Sequence, residues 1–190
     1  MPAAGKSNET KSNKIRPLYE EYGAEGYYRD HAANYENPHQ PQIQSLLARN
    51  FQRLDCSGKV LDFAAGGGEV TRALRKLGAP NLEGCDPFTY ELYEQKTGLA
   101  CLKYAFKDVL KNGLSEKYSL IISSFALHLC PQKELFPLCW NLLQAAPTLI
   151  VITPHKRPAL ELLPGISLVW EDVVENERGK KVRMKAYRIG

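Results

Sequence analysis

Lys59-Val60-Leu61-Asp62-Phe63-Ala64-Ala65-Gly66-Gly67-Gly68-Glu69-Val70-Thr71 runs from a short apolar strand through an acid and a string of small residues into a helix. Between Ala64 and Gly68 no side chain exceeds a methyl, so a ligand can lie against the backbone. The helix that follows offers unpaired N–H groups and a partial positive charge at its start. Asp62, placed before the glycines, calls for a cationic or hydrogen-donating group above it. Val70, Ala73, Leu74 and Leu77 recur at i, i+3, i+4 and i+7, the stripe of a helix packed on a sheet, and Gly78 and Pro80 end it.

Outward from this stretch, strands and helices alternate, the pattern of a doubly wound, mostly parallel α/β sheet. Strands are expected near 59–63, 82–85, 101–104, 120–124 and 149–153, with helices after them, among these 89–96 and 133–144. Beyond Pro154, two strand-like stretches at 166–175 and 181–189 flank Asn176-Glu177-Arg178-Gly179-Lys180, a glycine-bearing hairpin turn. The second strand, Leu82-Glu83-Gly84-Cys85-Asp86, closes on an acid, and such acids accept hydrogen bonds from ribose hydroxyls in doubly wound sheets. The nicotinamide fingerprint G-x-G-x-x-G is absent, since the three glycines are contiguous.

Over roughly 56–189 the chain resembles the class I (Rossmann-like) S-adenosylmethionine-dependent methyltransferases. Their first-strand pattern V-L-D-x-G-x-G-x-G is matched by Val60, Leu61, Asp62, Ala64, Gly66 and Gly68, with alanine in place of the first glycine. The resemblance implies a single sheet of seven strands with a C-terminal antiparallel hairpin, and helices before the sheet that cap the site. It implies S-adenosylmethionine as cofactor. Asp62 would meet its amino group, and Ala64, Ala65, Gly66 and Gly68 would cradle it. Asp86, followed by Pro87 and Phe88, would hold the ribose. Asp108, in Phe106-Lys107-Asp108-Val109-Leu110, would stand near the adenine amino group, and Ser124 would close the set at the fourth strand's end. Ser119 after Tyr118 departs from the family, which commonly has an acid there.

Methyl transfer from a sulfonium is an in-line displacement that asks chiefly for placement in a dry site. His128, after Ser123-Ser124-Phe125-Ala126-Leu127, is a candidate base for an oxygen or nitrogen acceptor, or else a histidine at the start of a loop. Tyr28, Tyr35 and His39, before the sheet, are candidates for the acceptor pocket, or for packing. The fourth strand lacks the Asn/Asp-Pro-Pro-aromatic ending with which similar enzymes grip an adenine amine or a glutamine amide. The exit loop Thr153-Pro154-His155-Lys156-Arg157-Pro158 could contact an anionic acceptor, or is simply a proline-rich connection.

The chain has 190 residues and a formal net charge of +4, room for one domain with a proper core. Residues 1–14 are polar and are expected to be a disordered tail; the domain is expected to span 15–190, with 15–51 as a helical cap. Lys6, Lys11, Lys14 and Arg16 form the clearest basic cluster. The 5 cysteines form no C-x-x-C pair and read as reduced hydrophobes of a cytoplasmic protein, and His128-x-Cys130 lacks the second pair that a zinc site needs. No apolar run approaches the roughly 20 residues that span a bilayer. The expected activity is methyl transfer to an O or N acceptor, a small molecule. A protein or RNA acceptor, and a non-catalytic partner subunit, are the alternatives.

Overall fold

The computed structural model describes residues 37–154 and 156–190; Tyr28, Tyr35 and the N-terminal tail lie outside them. The first described helix is α1 (Gln40–Asn50). Strands and helices then alternate as β1 (Val60–Phe63), α2 (Glu69–Lys76), β2 (Leu82–Cys85), α3 (Tyr90–Thr97), β3 (Cys101–Leu102), α4 (Phe106–Asn112), β4 (Leu120–Ser124), α5 (Gln132–Ala145) and β5 (Leu149–Thr153). The chain ends in the hairpin β6 (Ile166–Glu175) and β7 (Lys181–Ile189).

The strands form one seven-stranded sheet in the order β3-β2-β1-β4-β5-β7-β6. Pairing is parallel from β3 through β5; β7 runs antiparallel to both β5 and β6. This is the expected doubly wound fold with its C-terminal hairpin. The third strand is shorter than its expected span, because Lys103 and Tyr104 leave the sheet to wall a cavity.

Strand alternation divides the core into two layers. Leu61, Phe63, Ile121 and Val151 face α4 and α5, whereas Val60, Ile122, Ile150 and Ile152 face α1 and α2. The stripe expected in α2 is buried as Val70, Ala73 and Leu74, and Gly78, at φ 96, follows the helix. Arg49 and Asn50 of α1 bind the two carboxylate oxygens of Asp172 at 3.0 and 2.7 Å, and Arg53 lies 4.2 Å from the Trp170 ring centroid. These contacts fix α1 to β6. Among the described residues no helix is long and apolar enough to cross a membrane.

Gly84, in β2, carries the ring of Tyr93. A Cβ on Gly84 would lie 2.2 Å from Tyr93 Cζ, and that ring is fully buried with no room to withdraw. Gly84→Ala is expected to destabilise the fold by about 1–3 kcal/mol through overpacking, read as a lower denaturant midpoint, with Gly84→Ala/Tyr93→Leu recovering much of the loss.

Candidate functional site

The carboxyl ends of β1, β2 and β4 surround a cavity of about 490 Å³, within the size range of small-molecule sites. Phe63, Ala64 and Gly66 come to it from the first strand and its bend, and Asp86, Pro87 and Phe88 from the loop after β2. The connection from Lys103 to Asp108 forms a third wall, and Ser124, Phe125, Ala126, Leu129 and Glu134 close the fourth. Seven expected cofactor residues therefore converge: Ala64, Gly66, Asp86, Pro87, Phe88, Asp108 and Ser124. Asp62, Ala65 and Gly68 do not line the cavity.

The bend is built on left-handed backbone at Ala64 (φ 57), Gly66 (φ 56) and Gly68 (φ 74). Gly68 serves packing, since a Cβ there would stand 2.5 Å from Thr97 Cγ2 and 3.1 Å from the Tyr93 ring. Ala64 carries strain of about 1–2 kcal/mol from its methyl against the following carbonyl. Ala64→Gly removes it but frees the unfolded chain by about 0.5–1 kcal/mol. A net gain of about 0.5–1 kcal/mol is the expected outcome, checked by equilibrium unfolding in urea.

Asp86 is 8% exposed, and its carboxylate gathers the loop ends. Oδ2 accepts from Gly66 N at 3.1 Å; Oδ1 accepts from Phe88 N and Thr89 N, both at 2.9 Å. Thr89 Oγ1 donates back to Gly66 O at 2.9 Å. A carboxylate has about four acceptor positions, so one is left for a hydroxyl in the cavity. Asp108 binds Ala105 N through Oδ2 at 2.8 Å, closing the first turn of α4, and its other oxygen remains for a ligand.

Asp62 sits differently. Strand alternation turns it toward α2, where Oδ2 accepts from Thr71 N (3.0 Å) and Thr71 Oγ1 (2.8 Å), satisfying a first-turn amide of the helix. Thr71 Oγ1 lies 3.0 Å from Tyr93 Oη, and the chain of three is buried. The second oxygen of Asp62, Oδ1, is buried with no hydrogen-bond partner among the described residues. Burial pushes its carboxyl up to about 8, against the lowering effect of the two Thr71 hydrogen bonds; the Glu69 and Asp86 charges raise it further. An orphaned buried acceptor one residue before the cavity residues Phe63 and Ala64 fits a cationic donor such as an amino group.

No family model matches the chain. It is 30% identical to the "Uncharacterized protein C17A5.05c" of Schizosaccharomyces pombe, over 73% of this chain and 74% of that one. The magnesium protoporphyrin IX methyltransferase ChlM of Synechocystis PCC 6803, solved with bound SAM, superposes with a TM-score of 0.65 at 16% identity, over 95% of this chain and 99% of that one. The N-methyltransferase NodS of Bradyrhizobium japonicum WM9, solved with S-adenosyl-l-homocysteine, gives 0.65 at 12% identity, over 87% and 97%. This chain belongs to one family with the Schizosaccharomyces pombe protein, and its fold is that of the class I, Rossmann-like methyltransferases.

Two features of the cavity were not legible as site residues. Phe125 lines the cavity with φ 56, a rare conformation for a bulky residue and one that collects at functional sites. His39, which precedes α1, stacks on its ring at 4.9 Å and 15°. His39 thus reaches the cavity wall through Phe125. The other feature is Glu134, whose position follows from helix capping and is taken up below. His128 lies in a single turn of tighter helix, Leu127–Leu129, exposed and outside the cavity wall; its neighbour Leu129 is the one that lines it. Ser119, the other departure from the family pattern, stands at the opposite end of β4. Its hydroxyl binds Asp55 O at 2.8 Å and Lys59 O at 3.3 Å, and it leaves room for Gly58. A structural role at the sheet's amino edge accounts for it. The thiols of Cys101 and Cys139, each pushed up to about 12 by burial, are packed rather than reactive.

Proposed function

We propose that the chain is an S-adenosylmethionine-dependent methyltransferase that acts on the O or N atom of a small-molecule acceptor. The observation that carries this is the convergence of Asp86 and Asp108 on one cavity above the Ala64–Gly68 bend. Asp86 takes a ribose hydroxyl in its open acceptor position, Phe88 and Phe106 flank the base, and Ala64 and Gly66 let the ligand approach the backbone. Asp62 supplies the buried acceptor for the amino group through Oδ1. The cofactor, when bound, supplies a methyl on a positively charged sulfur. Ser124 and Phe125, at the fourth strand's carboxyl end, then shape the approach of the acceptor and exclude water, Phe125 being held by the His39 ring. His128 has no part at the cavity wall in this scheme. The similarity to ChlM, a magnesium protoporphyrin IX methyltransferase, supports a small acceptor.

Calorimetry with S-adenosylhomocysteine tests the cofactor, and incubation with tritium-labelled S-adenosylmethionine and a fractionated cell extract tests the acceptor. Saturable heat and label in the small-molecule pool are expected. Label in RNA or protein would replace the acceptor class, and an absence of heat would overturn the cofactor assignment.

A further inference from the structure

Two helices open onto the cavity with an acid at the third position: α4 begins Phe106-Lys107-Asp108 and α5 begins Gln132-Lys133-Glu134. An acid at that place ordinarily folds back onto the amide of the residue preceding the helix. Asp108 does so, on Ala105 N. The residue preceding α5 is Pro131, which has no N–H to offer. Glu134 therefore cannot close the same ring. Its half-buried carboxylate makes no hydrogen bond or ion pair with any described residue, and it lines the cavity. Of the cavity lysines, Lys103 has its Nζ 3.7 Å from the Tyr90 ring centroid, and neither Lys103 nor Lys107 pairs with Glu134.

The two helices are tied together. Asn141 Nδ2 of α5 donates to Val109 O at 2.8 Å and to Leu110 O at 3.3 Å in α4. The two acids line one cavity from the starts of these joined helices, with Phe106, Ala126 and Leu129 as its apolar walls. A flat base between apolar walls, with a hydrogen-donating edge, matches that arrangement. Asp108 has one oxygen already engaged, whereas both oxygens of Glu134 are available.

We propose that Glu134 is the residue that reads the exocyclic amino group of the bound nucleobase, and so selects an adenine over a 6-oxopurine. This rests on the cofactor proposed above. The test compares S-adenosylhomocysteine with S-inosylhomocysteine, which has an oxo group in place of the amine, by calorimetry on the full chain. Wild-type protein is expected to prefer the amine by about tenfold or more, as for a hydrogen bond to a charged group. Glu134→Ala should reduce that preference to within about twofold by weakening S-adenosylhomocysteine alone. Glu134→Gln, which keeps the shape and a neutral acceptor, should fall between them, and it serves if the alanine variant fails to fold. An undiminished preference in either folded variant, or none in the wild type, overturns the proposal. If wild-type protein binds neither compound, the cofactor assignment itself falls, a result distinct from binding without discrimination.

Discussion

Asp86→Asn is expected to weaken S-adenosylhomocysteine binding by about a hundredfold, near 3 kcal/mol. The carboxylate accepts from three backbone amides, Gly66 N, Phe88 N and Thr89 N, while its fourth acceptor position faces the cavity. An asparagine offers one carbonyl oxygen and one NH₂. Whichever way it is turned, the NH₂ meets at least one backbone N–H, so the link between the bend and the β2 loop opens. The loss thus has two parts, a charged bond to the ligand and the shape of the cradle. Calorimetry measures the affinity, and the thermal midpoint shows whether the fold survives. A folded Asp86→Asn protein with unchanged affinity would remove Asp86 from the site.

The residues that pin the loops were legible because their signals are local. Asp86 ends a strand and is followed by Pro87, and the α2 stripe shows its period directly. The doubly wound, mostly parallel architecture was inferred from alternation, and the hairpin from its glycine turn. What escaped the sequence depends on long-range geometry or on a missing group. The second task of Asp62 was not seen: β1 alternates, so Oδ2 is turned to Thr71 of α2, and the residues that line the cavity are Phe63 and then Ala64. The period of two contained that information. The left-handed conformation of Phe125 has no glycine or asparagine to mark it; it follows from the chain leaving β4 while Phe125 N donates to Ile152 O at 2.8 Å. Glu134 was hidden because its freedom comes from an absent proton on Pro131. The pattern Pro-x-x-Glu at a helix start records it.

Between pH 6 and 7.5, the affinity for S-adenosylhomocysteine is expected to rise by up to about tenfold per unit, and Asp62→Asn should flatten the rise. Burial holds the Asp62 carboxyl up to about 8 in the ligand-free fold, so below that pH it is mostly protonated. An ammonium brought to its orphaned Oδ1 favours the charged form, and binding must release the proton. The stability of the ligand-free protein carries the opposite sign. A folded pKa raised above the unfolded value means that the folded chain holds more protons between about pH 4 and 8. Asp62 therefore lowers stability progressively as pH rises through that window, and its penalty is complete above about 8. Asp62→Asn should then unfold later than wild type at pH 8.5 without ligand, while binding the ligand less tightly there. Glu69, also raised by burial and set near Arg72 and Lys96, is a second buried acid close to Asp62, so Glu69→Gln is the control for the slope. A pH slope that persists in Asp62→Asn but vanishes in Glu69→Gln would move the proton release from the β1 carboxyl to the first turn of α2.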